Sequence, residues 1–436
     1  MSVEREKQKH IGLEGAKLAH PADVADYLET LPLEQQIDAL NNLPVEQAAE
    51  TLTELDEHVR IDLLESLTPD RTAELVSEMS PDDAADVLDE LEEEHRDAIL
   101  GELEHEDAEE IRTLMAFDPD TAGGVMNTEI FILNQSLTAD NAINQLRSEI
   151  EDKEIPYYAY IVDDSDKLVG VLSLRDLIRC KRGVALHSIL PGQAPVSVLF
   201  NVHKEEVARS MSHYNFMAVP VVDYEGHLLG VVTHDDIIDI IQEAATEDML
   251  GMVGAGQDES VDTPWLESVR MRLPWLVVNM INSSFSAFVV SLFDGTIAQM
   301  TVLAVLMPIV ANQAGNTGQQ ALAVMIRELA VTRLERRKAF NAVMRETRIS
   351  LVTGIMVAVL VFLVLGFFSH NWMLAGVMSL ALALNMVVGA AAGASIPLAL
   401  RALGRDPAQA SSIFLTMLTD SGGFFLFLGL ATLLLL

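Results

Sequence analysis

Cysteine is almost absent: Cys180 stands alone among 436 residues. That excludes an internal disulfide framework and any zinc site built on several cysteines. Lysine is scarce as well, with 8 against 65 acidic residues and a formal net charge of −37. Nucleic-acid phosphates are held by Lys and Arg that displace counterions, so no nucleic-acid partner is expected. There is no phosphate-cradling Gly-Lys-Ser/Thr loop and no His/Cys cluster, so no enzyme is indicated. The opening residues MSVEREKQKH lead into no apolar run, and no cleavable leader is expected. Glycine (25) and proline (15) are at ordinary levels, which implies no long disordered tract.

Half of the residues are nevertheless apolar, and the mean hydropathy is positive at +0.26. The charge and the apolar mass sit in different places. Residues 1–120 carry 35 acidic and 8 basic side chains, net −27. Residues 121–250 carry 20 and 9, net −11, and residues 251–436 carry 10 and 11, net +1. An acidic front half precedes a membrane-like back half.

The front segment repeats every 12 residues. Leu31, Leu43, Leu55, Leu67, Met79, Leu91, Leu103 and Met115 form one register, and Leu28, Leu40, Leu52, Leu64, Val76, Leu88 and Leu100 a second. Apolar positions three apart followed by Leu-Pro or Ser-Pro turns predict one short helix per unit, with proline at the helix start. Helices this short cannot bury their apolar stripe alone, so the units are expected to stack into an all-α superhelix over residues 1–126.

The next segment is duplicated. Val162-Asp163…Gly170-Val171-Leu172-Ser173-Leu174-Arg175-Asp176 returns sixty residues on as Val222-Asp223…Gly230-Val231-Val232-Thr233-His234-Asp235-Asp236. Each unit reads as strand, acidic turn, strand and helix, with Ser173 and Thr233 at the helix starts. The pattern resembles a tandem pair of α/β CBS domains, here 127–190 and 191–250. That resemblance implies an adenine nucleotide, ATP included, held through Ser173, Asp176, Thr233 and Asp236. The plainer reading is that Ser173 and Thr233 only cap their helices.

A connector, 251–272, holds Thr263-Pro264 as a helix start, with Thr as cap and Pro at the first helical position. Trp265, Leu266, Val269 and Leu273 share a face, so this helix is expected to lie at a bilayer surface. Five apolar stretches follow within 273–436, near 273–293, 297–326, 345–368, 372–400 and 412–436. Each is long enough to cross a hydrocarbon core of about 30 Å. Arg270 and Arg272 precede the first, and Arg327, Arg333, Arg336, Arg337, Lys338, Arg345 and Arg348 lie between the second and third. Arg401 and Arg405 lie between the fourth and fifth, and the other two loops have no Lys or Arg. This sorting predicts a five-span α-helical domain in the cytoplasmic membrane, acidic domains in the cytosol and the C-terminus outside.

Polar groups inside such stretches are functional candidates by default. Asp420 is a carboxylate with no deep cation in any span to pair with, which points to a cation from solution. Asn312, Gly315, Asn316, Thr317 and Gln320 follow Pro308, which frees a carbonyl one turn earlier. Oxygen donors with one carboxylate suit Mg2+ or Ca2+. Close helix packing through the glycines explains the same motif without an ion.

Taken together, the Gly315-Asn316-Thr317-Gly318-x-Gln320 motif, Asp406-Pro407-Ala408 and Thr419-Asp420 are similar to the MgtE family of magnesium channels. The acidic superhelix, CBS pair and connector helix share that likeness. The resemblance implies a homodimer in the bilayer, with Asp420 and Thr419 beside the Asn/Gly/Gln motif in a Mg2+ pathway. It also implies closure by regulatory Mg2+ at Asp82, Asp86, Glu205, Asp236, Asp239, Glu247 and Asp248. His203 and Asn215 stand where the family pattern leads one to expect carboxylates. Life at high salt accounts for the same acidity. A coupled exchanger of Mg2+, Co2+ or Mn2+, and a non-conducting ion or nucleotide receptor, remain alternatives.

Overall fold

The computed structural model describes residues 19–149, 158–181, 183–190, 192–256, 259–261, 263–331, 335–408 and 411–436. The opening residues 1–18 and Arg333 of the basic loop lie outside the described residues. Two compact units divide the chain, Met1–Gln242 and Glu243–Leu436.

Among the described residues of the first unit, the period of 12 becomes eight short helices: α1 (Pro21–Leu28), α2 (Leu33–Asn41), α3 (Val45–Thr53), α4 (Glu57–Ser66), α5 (Pro69–Val76), α6 (Pro81–Asp89), α7 (Glu93–Leu100) and α8 (His105–Leu114). The second register lies on their buried faces, with Leu28, Leu40, Leu52, Leu64, Val76, Leu88 and Leu100 all at most 4 % exposed. The first register fills the turns between helices and packs on the same core. Proline takes the first helical position in α1, α5 and α6. Pro32 and Pro44 instead occupy the cap before α2 and α3, where an extended backbone suits them equally. Arg60 ties three layers: it donates to the carbonyls of Thr53 (3.0 Å) and Leu55 (3.2 Å) and pairs with Glu90.

The duplicated segment forms two three-stranded sheets. The first contains β1 (Ile132–Asn134), β2 (Tyr158–Val162) and β3 (Leu168–Ser173), with helix α9 (Ala139–Glu149) after β1 and α10 (Leu174–Arg179) after β3. The second contains β4 (Val198–Leu199), β5 (Ala218–Val222) and β6 (Leu228–Thr233), with α11 (Lys204–Tyr214) after β4 and α12 (His234–Val253) after β6. In each sheet the first strand runs parallel to the second, and the second pairs antiparallel with the third. The sequence reading missed the leading strand and helix, because two- and three-residue strands carry too little alternation to register. The hairpin turns are built alike. Asp163 Oδ1 accepts from Ser165 N and Lys167 N, and Asp223 Oδ1 from Glu225 N and His227 N, at 2.8–3.1 Å. Asp166 and Gly226, sixty positions apart, both adopt positive φ there.

The two departures from the family pattern have local roles. His203 caps α11, its ring accepting from Glu205 N at 3.4 Å. Asn215 ends that helix in the left-handed conformation, φ 53°, which asparagine tolerates better than most residues.

The second unit contains α13 (Trp265–Ser291), α14 (Asp294–Gln299), α15 (Val302–Val331), α16 (Arg336–Ser369), α17 (Trp372–Ala402) and α18 (Ser411–Leu434). The connector is not a separate helix. Pro264 occupies the cap of α13, which continues through Pro274 into the first long apolar stretch. Thr263 makes no cap, and its hydroxyl instead accepts from Ser260 N at 3.0 Å. Among the described residues, four helices are long and apolar enough to cross a membrane: α13, α16, α17 and α18. Helix α15 has the length, with 30 residues, but polar groups fill its middle. It packs against α17 and α18 through the buried Leu303, Val310, Ala314, Leu322 and Met325.

Candidate functional site

Polar residues of the second unit gather around α15 and α18. Positions 312, 316 and 320 recur every fourth residue, so Asn312, Asn316 and Gln320 share one helical face. All three are exposed in the protomer, while Ala311, Ala314, Gly318 and Ala321 on other sides are buried. Gly315 lies against α18: a Cβ added there would sit 3.8 Å from Thr419 Oγ1. The two motifs singled out from sequence thus meet, and Asp420 follows directly on the contact. Its side chain is half-buried, and no hydrogen bond or ion pair reaches it among the described residues.

Two expected pathway residues are otherwise engaged. Thr419 is fully buried, and its hydroxyl donates to the carbonyls of Leu415 (3.0 Å) and Thr416 (3.2 Å). It packs α18 against α15 rather than offering an open oxygen. Thr317 likewise donates to Gln313 O at 2.8 Å, within its own helix.

Close packing accounts for the remaining glycines. A Cβ on Gly318 would lie 2.7 Å from Leu415 and 2.9 Å from Gly389 O, and one on Gly393 would strike Gly318 O. Sequence reasoning did not connect Gly389 and Gly393 with Gly318, because the pairing joins helices seventy residues apart. Asn385 makes an interhelical hydrogen bond: its Nδ2 donates to Thr419 O at 3.1 Å.

In the first unit, α6 of the superhelix and the start of α12 place carboxylates together. Asp82 is 8 % exposed, and its Oδ1 has no hydrogen-bond partner among the described residues. Burial holds it well above the usual carboxylate range, with Asp83 and then Asp236 adding to the rise. Burial also pushes Asp86 up to about 7, reinforced by Asp83, Asp236 and Glu90 and opposed by Arg60. Asp236 is raised to about 6 by burial, with Asp235 and Asp83 adding, against its bond to Thr233. Asp86 keeps exposed surface, so water screens its shift more than that of Asp82. Sequence reasoning named Asp82, Asp86 and Asp236. It missed Asp83 and Glu90, which neighbour Asp82 and Asp86 along α6 and its cap, and Asp235, which only the fold brings near Asp83.

Glu205 pairs with Arg209 at 3.1 Å, and Asp239 is exposed one turn beyond Asp236. Glu247 and Asp248 sit further along α12. Among the described residues, no three His, Cys, Asp or Glu side chains form a ready metal cage. The acidic cluster still fits a cation that keeps its waters, since Asp82 offers a buried, unpartnered oxygen.

The sign of the pH response follows. Carboxylates with raised native pKa bind protons in the folded chain that the unfolded chain has already released. The contribution of these carboxylates to stability is greatest below about pH 4 and is lost as pH rises through about 7, the window between the ordinary value of 3.8 and the raised ones. Without divalent cations, the thermal midpoint of the first unit, followed in the full chain, should drop across this window. Replacing Asp82, Asp86 and Asp236 with Asn should flatten the slope; an unchanged slope would place its origin elsewhere.

Around the first sheet domain, Val171, Leu172, Asp176, Arg179, Cys180 and Ile189 line a cavity of about 500 Å³. Ser173 caps α10, and its hydroxyl donates to Asp176 Oδ2 at 2.6 Å. Asp176 keeps its second oxygen, and Arg179 adds a cation. Thr233 donates likewise to Asp236 at 2.6 Å, but Asp236 belongs to the acidic cluster described above.

Comparison with known proteins agrees with this division. Residues 19–120 match the MgtE intracellular N domain, 122–183 and 191–243 the CBS domain, and 307–430 a family described as divalent cation transporter. The magnesium transporter MgtE of Enterococcus faecalis is 35 % identical over 326 residues, which cover 75 % of this chain and 72 % of that protein. The Bacillus subtilis protein of the same name is 33 % identical with the same coverage. A crystal structure of the cytosolic domain of the Mg2+ channel MgtE in complex with ATP aligns with a TM-score of 0.51 and 33 % identity. It covers 55 % of this chain and 97 % of that one.

Proposed function

The chain belongs to the MgtE family, a membrane protein with a CBS pair, and from that premise we propose that it is a Mg2+ channel gated by Mg2+ itself. One observation carries the reading: Asp420, with no partner among the described residues, follows Thr419, which meets Gly315 of α15, the helix that leaves Asn312, Asn316 and Gln320 exposed. Lipid would make such a face costly, whereas a second copy of the chain and a hydrated ion would satisfy it. Mg2+ gives up its waters reluctantly, so one carboxylate per protomer and several amide oxygens suit binding through water. Gly315 would let the backbone approach.

Regulation is assigned to the acidic cluster of Asp82, Asp86 and Asp236. Cytosolic Mg2+ would offset its like-charge repulsion and hold the superhelix on the CBS pair. Glu205, Asp239, Glu247 and Asp248 belong to the same proposal as outer contributors. An adenine nucleotide, ATP by analogy with the aligned structure, would occupy the cavity at Ser173, Asp176 and Arg179. The proposed divisions are 1–126, 127–190, 191–250, 251–272 and 273–436.

Mg2+ entry into proteoliposomes, with and without Mg2+ on the side of the acidic domains, tests the whole. Entry that internal Mg2+ suppresses supports the reading, and no entry under either condition removes it. The arginine sorting adds an independent expectation: α15 spans as the second of five helices, with the C-terminus outside. A C-terminal reporter that works only in the cytosol should be silent, and a working one would mean the span count is even.

A further inference from the structure

Asn385 sits midway along α17 with no exposed surface. Its Nδ2 reaches two helices at once, donating to Thr419 O at 3.1 Å and to Val310 O at 3.4 Å. Thr419 immediately precedes Asp420, and Val310 lies two residues before Asn312. The reverse orientation of the amide would set Oδ1 against two carbonyl oxygens, so the donor faces them. Oδ1 is left buried with no partner among the described residues. An unpartnered buried acceptor is costly, and alanine or leucine would avoid that cost. The amide therefore supplies something that a packing residue would not.

The Gly422-Gly423 pair is shaped around it. A Cβ on Gly423 would collide with Asn385 Nδ2, and one on Gly422 would stand 3.9 Å from Oδ1. The two glycines that follow Ser421 are thus a seat for the Asn385 side chain.

We propose that Asn385 is a positioning residue for ion selection: a buried clasp that sets the height of Asp420 on α18 against the Asn312–Asn316 face of α15. It touches no ion itself. The inference rests on the reading of Asp420 as the centre of the pathway. Both carbonyls lie within continuous helices, so losing the clasp leaves those helices their own hydrogen-bond ladders and spares assembly. What changes is the register between two helices, which a selectivity measurement reads.

The test compares Asn385→Ala, Asn385→Leu and Asn385→Ser in the full chain, measuring Mg2+ and Ca2+ flux in proteoliposomes with elution and melting as controls. Leucine keeps the volume without a donor, whereas serine keeps a donor with less volume. Ala and Leu should cut the Mg2+-over-Ca2+ preference by about tenfold, and Ser should keep more of it than Leu. Wild-type selectivity in Ala, or Leu performing as well as Ser, would reduce Asn385 to a space-filler and overturn the proposal. Failure of all three to assemble would assign it to folding and overturn it too. Asp420→Asn, measured alongside, separates the two readings. Full flux there defeats the pathway itself, whereas lost flux there with an unaffected Asn385→Ala defeats only the clasp.

Discussion

Asp420→Ala is expected to abolish Mg2+ flux into proteoliposomes while leaving expression, oligomeric state and melting close to those of the parent chain. The carboxylate has no protein partner to strand among the described residues, so its removal leaves no orphaned charge behind. It does take away the carboxylate that follows the contact of Thr419 with Gly315, and with it the attraction for a divalent ion. In the proposed homodimer two copies would face each other and a hydrated Mg2+ would offset their repulsion. Asp420→Asn keeps the shape and loses the charge, so it should be nearly as damaging. Asp420→Glu should retain weak flux with altered selectivity, because the longer arm narrows the passage. Wild-type flux in the Asn variant would move ion selection to the backbone around Gly315–Gln320.

The second large effect is expected in the acidic cluster. Replacing Asp82, Asp86, Asp236 and Asp239 together with Asn should give a pore that stays open when cytosolic Mg2+ reaches millimolar levels. In the parent chain, Mg2+ should close the pore and protect the first unit from proteolysis. The warrant is electrostatic: raised carboxylates on α6 and α12 oppose one another until a cation comes between them. The quadruple variant removes the ligands, so Mg2+ should no longer add protection to its first unit. Closure that persists unchanged would move the sensor elsewhere, or leave the acidity as an adaptation to salt.

Much of this was legible without coordinates, because burial in short helices and strands follows a local period. The two registers of 12 fell on the buried faces and the interhelical turns, and the sixty-residue repeat returned as two sheets of matching order. A carboxylate or amide in an apolar stretch is conspicuous for the same reason, since lipid tolerates few of them. Periodicity says that a face is buried but not against what. Only the tertiary structure placed Gly315 against Thr419, withdrew the Thr419 hydroxyl into its own helix and made Asn385 the link between α15 and α18. Only it brought Asp235 and Asp236 of α12 near Asp83 and Asp86 of α6, and carried the connector straight into α13. Those outcomes depend on contacts between residues tens to hundreds of positions apart. Which pairs meet is decided by how whole faces interlock, where one added Cβ, as at Gly318 or Gly393, would be enough to prevent the fit.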